Sequence, residues 1–186
     1  MKILLTKTLA VIAAMTLTFA ANAQTDYVIT VKGDSIPCTI STSFKGKDSY
    51  KVNATSESKK IKPNEIREYC IARKNLHEQS VYADGNTQPV FMIVIEKGPI
   101  SLYRTVPFSK KSTTKWFIGK GSDQVNGLKT RGLFLLKSRE ERRDLFAETL
   151  KDNKDVYARY IAEDKFSFKQ IRNLVHLYNT GRPMKG

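Results

Sequence analysis

The hydrophobic period of this chain changes once, near residue 138, and that change constrains its architecture more than any other feature. Early in the chain Tyr27, Ile29 and Val31 fall on one face and Val28, Thr30 and Lys32 on the other; Ile36, Cys38 and Ile40 repeat the pattern. A period of two belongs to β-strands. Beyond residue 138, Leu145, Phe146 and Leu150, then Val156, Tyr157, Tyr160 and Ile161, recur at helical spacing. Phe168, Ile171, Leu174, Val175 and Tyr178 form a third such stripe. The expected fold is α+β: an N-terminal antiparallel β-sheet or partial barrel of about six to eight short strands, followed by three C-terminal helices packed on it.

Turn residues punctuate the first part. Gly33-Asp34-Ser35 separates two strands of a hairpin, and Pro37, which lacks an amide donor, places the second at an edge or bulge. Lys45-Gly46-Lys47-Asp48 predicts the next turn, ahead of Tyr50, Val52 and Ala54, and Ile61 to Ala72 offers one or two strands around Pro63-Asn64. Val90 to Ile95 is an apolar run without alternation, which suits a central strand covered on both faces, with Ile100 to Val106 as its hairpin partner. Trp116-Phe117-Ile118 and Leu133 to Leu136 are expected to pair, leaving Gly119 to Gly127 as a loop. Ser138-x-x-Glu141 and Ser167-x-x-Gln170 read as capping boxes, and Gly181 and Pro183 close the last helix. Residues 24–137 are thus a β-rich region and 138–181 a helical region of one domain.

The first 23 residues are expected to be a cleaved signal peptide. Lys2 and Lys7 precede an uncharged apolar stretch from Leu9 to Ala20, and Ala21-Asn22-Ala23 supplies small residues for cleavage before Gln24. The stretch is shorter than the ~20 residues a membrane-crossing helix needs, so no transmembrane span is expected after cleavage. The destination is the periplasm or the exterior. An oxidising destination leaves two readings of Cys38 and Cys70 open, a disulfide or two separate buried thiols. Two cysteines and two histidines are too few for a multi-cysteine zinc module, and no metal or cofactor is expected.

Losing Lys2 and Lys7 lowers the net charge from +14 to +12. Between Lys97 and Arg131, eight basic residues face Asp123 alone. Lys110-Lys111-Ser-Thr-Thr-Lys115-Trp116-Phe117 interleaves cations with aromatics, a surface suited to phosphate or carboxylate groups. Arg104, Lys110, Lys111, Lys115, Trp116 and Lys120 are therefore the candidate ligand-binding residues. Export makes nucleic acid an unsuitable partner, and favours an anionic envelope component (lipid headgroup, lipopolysaccharide or peptidoglycan) or another envelope protein. The competing reading is a solvated strand-and-loop region whose lysines protect sheet edges.

No catalytic set emerges. His77-Glu78 is half of a zinc-protease H-E-x-x-H, but Val81 stands where the second histidine belongs. Gly119-Lys120-Gly121-Ser122 lacks the spacing of a phosphate-binding P-loop. His176 shares a polar helix face with Arg172 and Thr180. The expected function is that of a small non-enzymatic cell-envelope protein acting through protein or surface contacts. The alternatives are a binder of an anionic envelope ligand through residues 97–131, and a secreted hydrolase assembled from distant residues.

Tyr27-Val-Ile-Thr-Val-Lys-Gly-Asp-Ser-Ile36 resembles the opening of small exported bacterial proteins of unknown function, in which a strand, Gly-Asp-Ser/Thr-Ile and a second strand follow in order. Those chains often end, as here, in a helix finishing Tyr178-Asn179. The resemblance implies a secreted or periplasmic protein and brings no catalytic residues with it; Pro37 and Cys38 lie outside its pattern.

Overall fold

The computed structural model describes residues 25–43, 48–105, 114–130 and 138–184. The expected leader, most of the Lys45–Asp48 turn, Lys110, Lys111 and the Leu133–Leu136 strand lie outside the described residues. The fold is α+β, with a sheet that closes into a partial barrel and three C-terminal helices packed on it.

The strands are β1 (Tyr27–Thr30), β2 (Ser35–Pro37), β3 (Thr39–Ser41), β4 (Ser49–Lys51), β5 (Lys59–Lys60), β6 (Ile66–Ile71), β7 (Leu76–Ala83), β8 (Val90–Glu96), β9 (Ile100–Arg104), β10 (Lys115–Lys120) and β11 (Gln124–Thr130). Eight form one sheet in the order β11-β10-β9-β8-β7-β6-β1-β2, while β3, β4 and β5 form a second. β11 also pairs in parallel with β7, Gln124 against Tyr82 and Val125 against Ala83. Strands β7 to β11 therefore close on themselves, and β6, β1 and β2 extend from them as a wing. Val81, Ala83, Met92, Tyr103, Phe117 and Val125 fill the closed part. Val28, Ile40, Tyr50, Ile66, Tyr69 and Ile71 join the wing to the small sheet.

The helices are α1 (Arg139–Leu150), α2 (Lys154–Glu163) and α3 (Phe168–Thr180). They cover the outer face of β9–β11, where Ile100, Leu102, Ile118 and Leu128 meet Phe146, Leu150, Ile171 and Leu174. The Ser138–Glu141 capping box forms with both of its hydrogen bonds. At α3 only half of the expected box forms. Ser167 accepts from the Gln170 amide N–H, but the Gln170 side chain donates to Glu163 Oε2 instead, tying α3 to α2. Among the described residues no helix is long and apolar enough to cross a membrane.

Two local expectations change, and one of the two open readings of the cysteines is met. The second strand of the first hairpin divides at Cys38 into β2 and β3, which belong to different sheets. The stretch expected as a loop is a hairpin: β10 runs to Lys120, Gly121 turns at φ +67°, and β11 begins at Gln124. Gly119 sits there because backbone and side chains approach closely; a Cβ would lie 3.0 Å from Val125 Cγ1 and 3.2 Å from the Gln124 carbonyl oxygen. Finally, Cys38 and Cys70 are both free. Cys70 shares a sheet face with Tyr27, its cross-strand partner, whereas Cys38 packs against the wing core on the opposite face. Burial raises both thiol pKa values, that of Cys38 to about 11, so neither is poised as a nucleophile.

Candidate functional site

Strand register builds a row of side chains across the outer face at one end of the sheet. Trp116 on β10 is directly opposite Arg104 on β9 and Lys129 on β11. Residues so opposed share a face and lie within side-chain reach. The pairing of β10 with β11 shifts between Trp116 and Phe117, where Gly127 follows Lys129 as partner and Leu128 is skipped. That bulge sends both Leu128 and Lys129 toward the helices, one into the core and one to its rim. The row is cation, indole, cation.

The helices complete the corner. Trp116 meets Phe168, at the start of α3, edge to face with ring centroids 4.7 Å apart. Lys129 Nζ donates to the Phe166 carbonyl oxygen at 2.5 Å. It also lies 4.9 Å from the Phe166 ring and 5.4 Å from that of Phe168. Its pKa is lowered, first by burial and then by the guanidinium groups of Arg139 and Arg142 on α1. Lys129 thus sits over an aromatic floor, within the field of two arginines of α1, with Arg104 two strands away in the row. The nearest acid in that row, Glu78, is buried and accepts from Tyr69 OH at 2.7 Å; burial raises its pKa, against the pull of Tyr69 and of the Arg104 charge.

The structure brings together two of the six sequence-derived candidates, Arg104 and Trp116. Lys115 follows the opposite face of β10 by strand alternation. Lys120 lies at the far end of the strand, where it donates to Asp152 Oδ1 at 2.7 Å and to the Thr149 carbonyl oxygen at 2.9 Å. Its ammonium also stacks 5.0 Å from the Tyr178 ring. That lysine joins β10 to α1 and α3 and is committed to the fold. Lys110 and Lys111 lie outside the described residues; the strand ends flanking them, Arg104 and Lys115, are at the corner's end of the sheet. Lys129, Arg139 and Arg142 escaped the sequence reading because a bulge and a helix start bring them in. The only signal for Lys129 was its place in the basic segment.

The remaining chemistry-bearing groups are paired across elements. Glu68 on β6 is buried; its Oε2 accepts from Lys97 Nζ at 2.6 Å. Its Oε1 lies 2.7 Å from His77 Nε2, a short approach but poorly aligned for a ring N–H bond. Tyr27 OH is 3.5 Å from the same oxygen. Glu96 at the end of β8 receives Arg172 Nε at 2.9 Å and faces His176 Nδ1 at 3.4 Å. His176 therefore lies against a carboxylate of the sheet rather than on a solvated helix face. Lys97 and Glu96 are consecutive, so this one turn is tied to the wing and to α3 at once. Among the described residues no three metal-ligating side chains converge.

The Glu68 knot has a pH signature. Burial raises its pKa, but His77 and Lys97 outweigh burial and bring it from 4.5 down to about 2. A carboxyl held low in the folded state stabilises it fully above the ordinary value, and that contribution is lost as pH falls toward 2. In urea titrations from pH 5 to pH 2, Glu68→Gln should be less stable than the native chain at pH 5, with the gap narrowing toward pH 2. A gap that does not depend on pH would show that folding does not lower the Glu68 pKa, and a gap that widens toward pH 2 would show that it is raised.

A shallow groove of about 560 Å³ runs between α1 and α2, lined by Arg139, Arg143, Asp144, Tyr160 and Ile161. Arg143 pairs with Asp164 across its end, and with Glu140 and Asp144 beside the arginines its walls are of mixed charge. No family model matches the chain, and no curated protein or solved structure matches it.

Proposed function

We propose that this is an exported, non-enzymatic protein of the cell envelope that works by contact with an anionic envelope component. The observation that carries this reading is the corner at Trp116, where Arg104 and Lys129 flank the indole beside Phe168 and Arg139 adds its charge next to Lys129. Three cations of the sheet and its helices are taken up in the fold instead: Lys97 on Glu68, Lys120 on Asp152 and Arg172 on Glu96. Both histidines face carboxylates that also hold a cation, and both thiols are kept protonated. Such groups brace the structure; at the corner Arg104 and Arg139 have no ion-pair partner among the described residues and add to the local positive potential.

Expressed with its leader, the protein should be recovered from envelope fractions with a mature N-terminus at Gln24. It should be released when salt is raised from about 0.1 M to about 1 M, as the screening length falls from ~10 Å to ~3 Å. Retention of the uncleaved chain, or recovery that ignores salt, would contradict the reading.

A further inference from the structure

We propose that the corner holds phosphoryl groups, and that its partner is the phosphate-bearing face of a lipid bilayer. This rests on the contact reading above and adds a locus and a chemistry to it. Arginine presents a planar fork that takes two phosphate oxygens at once. Among the described residues, Arg104 and Arg139 donate to no carboxylate, so their forks are available. Lys129 is bonded to the Phe166 carbonyl and seated over two rings, and so fixes the floor of the site.

Two geometric points favour a bilayer surface over a lone phosphate or an acidic protein. Arg104 and Lys129 are two strand spacings apart, about 10 Å, and Arg139 lies beyond on a helix. A span of that width is satisfied by a layer of phosphates rather than by one. Protein interfaces centre on a fully buried apolar core. Among the described residues the exposed large hydrophobics, Val31, Val52, Val90 and Ile161, belong neither to β9–β11 nor to α3. The corner offers charge with its rings already packed edge-on, which suits contact with headgroups.

Trp116 is the single tryptophan of the chain, so its fluorescence reports on this corner alone. The chain without its first 23 residues, which contains every described element, is titrated with phosphatidylglycerol vesicles and with phosphatidylcholine vesicles at low salt. The emission should change with the first and not the second. Arg104→Gln/Arg139→Gln should weaken vesicle binding about thirtyfold, at about fivefold per cation near an anionic leaflet. Lys59→Gln/Lys60→Gln, an equal loss of charge on exposed β5, should weaken it less than threefold. Equal losses in the two double variants, with an unresponsive Trp116, would overturn the corner while leaving the contact reading standing. An equal response to polyglutamate at matched charge would make the partner an acidic protein and overturn the phosphoryl assignment. Saturation by inorganic phosphate at the same phosphate concentration would overturn the bilayer. Absence of binding to every anionic probe would remove the contact reading itself.

Discussion

Phe146→Ala should destabilise the protein by about 3–5 kcal/mol, the range for emptying a buried aromatic position. Phe146 on α1 is fully buried. Its ring meets Tyr160 edge-on at 5.1 Å and Phe166 at 6.2 Å. It therefore joins all of the helical layer: α1 that carries it, α2 through Tyr160, and the approach to α3 through Phe166. Filling such a cavity would require three elements to move together, which is why the cost should sit high in the range. Ile161→Ala, at a side chain 54% exposed, should change stability by less than about 0.5 kcal/mol. Urea midpoints compare the two directly. Similar losses at both sites would mean that the helices are not packed around Phe146.

The second large effect lies where α3 ends. Asn179 Oδ1 accepts from the Ile100 N–H at 3.0 Å, and Asn179 Nδ2 donates to the Ile100 carbonyl at 2.7 Å. One side-chain amide thus acts as a further strand for the start of β9. Asn179→Ala leaves both backbone groups of a fully buried residue without that partner and should cost about 2–4 kcal/mol. The arrangement also explains Gly98: a Cβ there would lie 2.5 Å from Asn179 Cγ. Gly98→Ala should therefore displace Asn179 and destabilise to a similar degree. Because both substitutions break the same contact, the double variant should lose much less than the sum of the two. An additive double variant would show that Gly98 and Asn179 act separately.

Tyr178 completes this end of the helix, donating to Asp152 Oδ2 at 2.7 Å beneath the Lys120 ammonium. Tyr178 and Asn179 together form a clamp between the last helix, the sheet and the end of α1.

How much was legible in the sequence depended on how local the cause was. The change of period at residue 138 is a property of single segments, and it placed the sheet before the helices correctly. Ser138 and Glu141 bond each other within one turn, so their capping box was readable. Gln170 was not, because its partner, Glu163, belongs to the preceding helix. β11 was hidden by its own composition: Gln-Val-Asn-Gly-Leu-Lys-Thr breaks alternation at a bulge, and its glycine suggests a turn. The same bulge concealed Lys129. Arg104 and Trp116, twelve residues apart, are neighbours only through the β9–β10 register, and the sequence marked their types without showing that they meet. Lys115 and Lys120 were marked on equal terms, yet strand alternation and Asp152 draw them elsewhere.

Hydrogen exchange of the backbone amides, with and without phosphatidylglycerol vesicles, tests most directly whether the protein works through this corner. Slowed exchange should be confined to the ends of β9–β11 around Arg104, Trp116 and Lys129, with the first turns of α1 and α3. Slowed exchange centred instead on the β3–β5 sheet or the β2 edge, with the Trp116 end unchanged, would contradict it.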